Sequence, residues 1–117
     1  MKSILNELNR AIAARGSLVI TKDGIQIASS ARAEFRMDVV AALVNNVIRE
    51  AKKACDLQGS GDFDRFVLNA DYGRMIVVEL PIAYLVVITS IGTDIDHVLL
   101  EVDTAAKRVA RAGRIAV

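Results

Sequence analysis

The 117-residue sequence contains one cysteine, one histidine, one proline and no tryptophan. A single thiol, Cys55, excludes an internal disulfide framework and any cysteine-cluster metal site. A single imidazole, His97, argues against a histidine-rich metal site and against a Ser-His-Asp triad. The formal net charge is +1 and aromatic residues make up 4% of the chain, which argues against a nucleic-acid binder, since that role wants a basic face and usually stacking aromatics. Long hydrophobic runs are also missing. Met75 to Ile88 is the longest, 14 residues interrupted by Glu79 and Pro81, too short to cross a bilayer. The first ten residues carry Asn6, Glu7, Asn9 and Arg10 where a signal peptide needs an apolar stretch, so a cytoplasmic location is expected. There is no internal repeat and no low-complexity segment.

What is present is apolar material, 53% of residues against 25% charged. The length fits one domain, residues 1–117, and a chain of this size buries roughly 65% of its unfolded surface. Ile4, Leu5, Leu8, Ala11 and Ile12 recur at helical spacing and predict a helix over Ser3–Arg15, with Ser3 as N-cap and Gly16 as the left-handed residue that ends it. Ser17–Thr21 and Ile25–Ser29 are short β-branched runs around Lys22-Asp23-Gly24. Asp-Gly there signals a hairpin with both turn positions at positive φ. Ser30–Phe35 reads as a loop. The longest helical pattern runs from Arg36 to about Leu57 and ends in Gln58-Gly59-Ser60-Gly61-Asp62.

Three further strands are expected. Phe63–Ala70 would place Phe66, Leu68 and Ala70 on one face and Arg65, Val67 and Asn69 on the other. Met75–Leu80 and Ala83–Thr89 follow, separated by a turn at Pro81. Tyr84-Leu85-Val86-Val87-Ile88 is apolar throughout and reads as a central strand covered on both faces. Thr93-Asp94-Ile95-Asp96 resembles a capping box ahead of a helix reaching about Ala112. The order is α-β-β-α-β-β-β-α. Short links between strands make the five-stranded sheet mostly antiparallel, with helices on both faces, an α+β arrangement.

The two long helices differ. Placed at about 100° per residue, the apolar residues after Thr93 fill an arc of roughly 140°, one face against one sheet. Those of Arg36–Leu57, from Val39 and Leu43 through Val47 to Cys55 and Ala41, fill roughly 200°. The excess predicts a cover, most simply a second copy of the helix across a two-fold axis, with Ala41, Ala42 and Ala51 allowing close approach. An open five-stranded sheet also has two edges, and Phe63–Ala70, without proline and with Arg65 its only Lys or Arg, is a plausible pairing edge.

The hairpin Leu18-Val19-Ile20-Thr21-Lys22-Asp23-Gly24-Ile25-Gln26-Ile27-Ala28-Ser29 resembles the opening hairpin of the roadblock/dynein-light-chain family. The long apolar helix after it is similar to that family's second helix, and Met75–Ile88 with the terminal helix to its closing elements. The resemblance covers essentially the whole chain. It implies a profilin-like α/β/α sandwich that dimerises through the second helix and third strand into a ten-stranded sheet. It also implies that the chain binds a small Ras-like GTPase, as the mutual-gliding B-type proteins do. On this chain the dimer interface would be Val39, Leu43, Val47, Phe66, Val67 and Leu68. Residues over the paired helices, Ala42, Asn45, Asn46, Arg49 and Lys53, would receive the GTPase. The family has no catalytic residues, so no enzyme activity, cofactor or metal is expected. Gliding-type regulators often carry a C-terminal extension, and this sequence stops at Val117, just after the last expected helix, which weakens the transfer of their full regulatory behaviour.

The expected function is a homodimeric adaptor that shifts or stabilises one nucleotide state of the GTPase. The rivals are a pure assembly module and a small-molecule sensor of PAS or profilin-like shape, which would need a cavity with polar anchors. Other features read as structural. Asp94 and Asp96 are helix-capping and dipole charges rather than a metal pair. His97 lies alone on an exposed arc. Ser90-Ile91-Gly92-Thr93 lacks the length and lysine of a phosphate loop. Cys55 falls in the apolar arc as a small buried hydrophobe.

Overall fold

The computed structural model describes residues 1–32 and 36–116. Its elements are α1 (Lys2–Ile12), β1 (Gly16–Thr21), β2 (Gln26–Ala31), α2 (Met37–Leu57), β3 (Arg65–Asn69), β4 (Arg74–Glu79), β5 (Ala83–Thr89) and α3 (Ile95–Ala116). The five strands form one sheet in the order β2-β1-β5-β4-β3, and all four pairings are antiparallel. β5 is central, as its unbroken apolar run requires. The helices α1 and α3 cover one face and α2 covers the other, so the fold is the expected α/β/α sandwich.

The period-2 alternation of the strands divides the core in two. Val19, Ile76, Leu85 and Val87 face α1 and α3, where they meet Leu5, Leu8, Val98 and Val102. Leu18, Ile20, Val77 and Val86 face α2 and meet Ala41, Val44 and Ile48. The two helix-rich sides therefore share one sheet but have separate packing partners.

Several local expectations are corrected. Helix α1 stops at Ile12 rather than Arg15, and the left-handed residue is Ala13 (φ 52°), not Gly16, which opens β1. Its N-cap is Met1, with no side-chain cap hydrogen bond from Ser3 or any other residue. In the first hairpin only Gly24 has positive φ (88°). The amide of Gly24 donates to the Thr21 carbonyl and that of Thr21 to the Ile25 carbonyl, making a three-residue loop closed by a glycine, not a two-residue turn. Ile20 pairs with Gln26 and Val19 with Ala28, so Ile27 is bulged out of the ladder. β2 continues through Ser30 and Ala31, two residues expected in a loop. Of that loop, residues 33–35 lie outside the described residues.

Strand β3 is shorter than expected, Arg65–Asn69 instead of Phe63–Ala70. Helix α3 runs to Ala116, beyond Ala112. Its cap is Asp94, whose Oδ1 accepts the Asp96 amide at 3.2 Å, while the Thr93 hydroxyl turns back to the Ser90 carbonyl. Asp94 can cap because its short carboxylate reaches the amide two residues on.

Candidate interaction surface

Helix α2 faces two environments. Ile48 and Ala41 are 2% exposed and Val44 is 4% exposed, all buried against the sheet. Val39, Leu43 and Val47 are 41%, 59% and 39% exposed. They recur every four residues and form a stripe along one flank. The opposite flank is set by Asn45, which packs on the first hairpin so tightly that a Cβ on Gly24 would come within 2.8 Å of its side chain. At about 100° per residue Leu43 and Val47 point away from that hairpin, toward the β4–β3 end of the sheet. The broad apolar arc read from the sequence is therefore real, and its excess stays uncovered in the single chain.

β3 ends the sheet on that same side. Phe66 and Leu68 project toward the α2 layer, and Leu68 is 49% exposed. Val67 lies opposite Ile76, which faces α1 and α3, so Val67 belongs to the other face of the strand and not beside the α2 stripe. Arg65 shares that second face and binds both oxygens of Asp103 on α3, at 3.0 and 3.1 Å. Leu68 and the free backbone of β3 thus border the exposed flank of α2.

A charged cluster holds the approach to this edge. The ammonium groups of Lys22 and Lys52 both donate to Glu79 Oε2, at 2.9 and 3.1 Å. Lys52 also reaches Asp62 and lies 4.7 Å from the centroid of the Phe63 ring, while Lys22 lies 4.3 Å over Tyr84. Phe63 in turn meets Phe66 edge to face. The cluster joins the first hairpin, α2, β4 and the segment leading into β3. Sequence reasoning missed it because its members are scattered along the chain. The available signal was Glu79, a lone carboxylate in an otherwise aliphatic run.

Burial pushes Glu79 toward its neutral form, but the two ammoniums outweigh it and hold its pKa below the ordinary 4.5. Burial likewise disfavours the Lys52 ammonium, yet the hydrogen bonds to Asp62 and Glu79 carry its pKa above 10.5. Because the folded pKa of Glu79 is depressed, its contribution is in place at neutral pH and is lost as pH falls through the depressed value. Glu79→Gln should cost about 1 kcal/mol at pH 7, reduced by partial solvent screening. Thermal melts between about pH 6 and pH 3 should then show a smaller acid-induced fall in Tm for the variant than for the unaltered protein.

Of the residues expected to receive a partner, Ala42, Asn46, Arg49 and Lys53 are exposed, while Asn45 is half-buried against Gly24. Lys53 pairs with Glu50 at 3.4 Å, and Arg49 makes no ion pair among the described residues. Cys55 is only partly buried. His97 is exposed, with Nε2 3.2 Å from the Ala11 carbonyl. No helix of the described residues is long and apolar enough to cross a membrane.

The fold and this surface define a three-layer α/β/α domain with an open antiparallel sheet and an uncovered flank on its second helix. The chain belongs to the Roadblock/LC7 domain family, whose model matches residues 2–89. Two uncharacterized proteins of Methanocaldococcus jannaschii are each 24% identical to it over 106 residues, covering 91% of this chain and 93% of each relative. Among solved structures, MglB of Myxococcus xanthus superimposes with a TM-score of 0.88 at 16% identity, over 97% of this chain and 94% of that one. An MglB with a tetrameric arrangement gives 0.89 at 24% identity, over 98% and 88%. A Roadblock/LC7 domain from Streptomyces avermitilis gives 0.86 at 17%, over 96% of each chain. These likenesses establish the fold.

Proposed function

We propose that this protein is a homodimeric adaptor that binds a small Ras-like GTPase and modulates its nucleotide state or its location in the cell. The observation that carries the reading is the exposed stripe Val39, Leu43 and Val47 beside the open β3 edge, in a Roadblock/LC7 domain. A second copy across a two-fold axis would cover both at once, joining two sheets through β3 and pairing two α2 helices. In that dimer Val39, Leu43, Val47, Phe66 and Leu68 would lie at or near the seam, with Val67 on the far face of the joined strands. Val67→Lys is therefore the weaker probe of the two elements.

The GTPase follows from family resemblance, and its docking surface from the solvent side of α2. Two-fold symmetry would bring two copies of Arg49 and Lys53 onto one platform, with Ala42 and Asn46 between them, a basic surface suited to an acidic partner patch. Asn45, tied to the hairpin, would set the position of that platform more than contact the partner. The chain would act by positioning the GTPase's own catalytic groups or by holding one nucleotide state, with Arg49 serving as a docking charge among the described residues.

The test is a titration of a small Ras-like GTPase from the same organism, loaded with GDP or a GTP analogue. Arg49→Glu with Lys53→Glu should leave folding and dimerisation intact and weaken binding about tenfold at low salt, mainly by slowing association, with the difference shrinking as salt rises. Equal affinity for both proteins would remove α2 from the docking surface. GTP hydrolysis followed in the same samples separates a regulator from a pure assembly module.

A further inference from the structure

The far edge of the sheet, β2, is also unpaired, and nothing in the proposed dimer covers it. From Gln26 to Ala31 it has no proline, lysine or arginine, the residues that commonly blunt an exposed edge. At one end of the strand is an apolar cavity of about 470 Å³, walled by Met1, Leu80, Ile82, Val109 and Ala110, with the bulged Ile27 at its rim. Along the rest of the strand runs a polar groove of about 650 Å³. Its floor is Gln26, Ser29 and Ser30. Lys2 and Asn6 of α1 wall one side, and Arg36, Met37 and Asp38 at the start of α2 wall the other, with Arg32 at the end. Among the described residues that lining has three cations against one carboxylate, Asp38, which lies 3.9 Å from the Arg36 guanidinium.

We infer that the β2 edge binds an extended segment of a partner protein, which adds as an antiparallel strand, seats an aliphatic side chain in the cavity and meets Arg32 and Arg36 with acidic side chains. Three features point to this occupant. An unpaired strand offers a row of backbone donors and acceptors that only another extended chain matches. The charge along the groove is complementary to an acidic sequence. The area favours a short segment over a second copy, because six residues of edge, about 20 Å long and about 10 Å wide, present roughly 200 Å², against the ~800 Å² per partner that holds two globular copies together.

The polarity of the ligand follows from the strand direction. The cavity lies near Ile27, with Lys2 beside its Met1 wall, and Arg32 and Arg36 lie at the other end of the strand, about five residues or 17 Å further on. An antiparallel ligand therefore carries its acidic residues first and its aliphatic residue about five positions later. The site is independent of the α2 and β3 seam, so its failure would leave the proposed dimer untouched.

The experiment uses the full chain, labelled with nitrogen-15, and a capped heptapeptide with two N-terminal glutamates, a middle of alternating threonine and valine, and a C-terminal isoleucine. Binding is read by fluorescence anisotropy and mapped by amide chemical shifts. The expected result is saturable binding in the micromolar range, with shifts confined to Gln26–Arg32, the start of α1 and the cavity wall. Arg32→Glu with Arg36→Glu should weaken it about tenfold, the sum expected of two exposed charge pairs. Ala110→Trp, which fills the cavity from an already half-exposed position, should weaken it independently of salt. A peptide with lysines in place of glutamates should bind at least tenfold more weakly. Absence of binding at 1 mM peptide, equal binding of the lysine peptide, or shifts centred on α2 and β3 would overturn the inference. So would β2 signals that broaden with protein concentration in the absence of peptide, which would assign the edge to a second copy.

Discussion

Leu43→Asp should convert the protein from dimer to monomer without unfolding it. In the single chain Leu43 is 59% exposed, so a carboxylate there meets water and costs the monomer little. In the proposed dimer the same position lies in the α2 seam, and each interface contains it twice. Losing two partly buried leucine side chains removes about 3 kcal/mol of apolar burial, roughly a 100-fold weaker dimer, before any cost of burying the new charges. Size-exclusion chromatography with light scattering should give a particle near the chain mass of 12.6 kDa, while circular dichroism and the cooperative melt remain. A stable dimer in the variant would place the seam elsewhere.

Ile48→Asp should do the opposite and prevent folding. Ile48 lies on the same helix a little more than one turn beyond Leu43, but it is on the sheet side, 2% exposed among Leu18, Ile20 and Val86. A carboxylate there loses the apolar contacts and is buried among aliphatic side chains. The expected cost is at least about 4 kcal/mol, a large share of the stability of a domain this size. The measurable outcome is loss of the cooperative thermal transition, with light scattering reporting unfolded or aggregated chain instead of a clean monomer. The two variants together test whether α2 has one buried side and one covered flank, since an ordinary surface helix would tolerate Asp at position 43 with no change in mass.

The architecture was largely legible from period and punctuation. Tyr84–Ile88 announces a central strand because both of its faces are apolar, and β5 is central. The α2 arc announces a helix with more apolar surface than one sheet can cover, and Leu43 and Val47 are the part left over. Local ends were less legible. Ser29, Ser30 and Ala31 have little intrinsic strand signal, yet they pair with Leu18, Ser17 and Gly16, so tertiary pairing extends β2 where propensity would stop it. Ala13 takes the left-handed conformation although Gly16 is nearby, because the Ala14 amide must return to the Asn9 carbonyl before the chain can start β1.

The surface was legible in outline only. Alternation separates Val67 from Phe66 and Leu68, but which face looks at α2 depends on the pairing of β3 with β4. The Lys22, Lys52, Asp62 and Glu79 cluster and the β2 groove are built from residues far apart in sequence. Pattern within one element carries no information about them. Only the strand order brings Lys22 beside Glu79, and only the packing of α1 and α2 around β2 puts Lys2 and Arg32 on one groove.

The central claim is that a second copy covers both the α2 flank and the β3 edge, and amide hydrogen exchange of β3 in the unaltered protein tests it most directly. In the single chain β3 pairs only with β4, so alternate amides of Arg65–Asn69 point outward and should exchange quickly. In the joined sheet they are bonded to the partner strand. At concentrations well above the dissociation constant the amides of Arg65–Asn69 should exchange as slowly as those of Arg74–Glu79 in β4, and the protection should vanish in Leu43→Asp. Fast exchange of the outward β3 amides in a protein of dimer mass would contradict the seam, and fast exchange at a mass of 12.6 kDa would contradict the dimer itself.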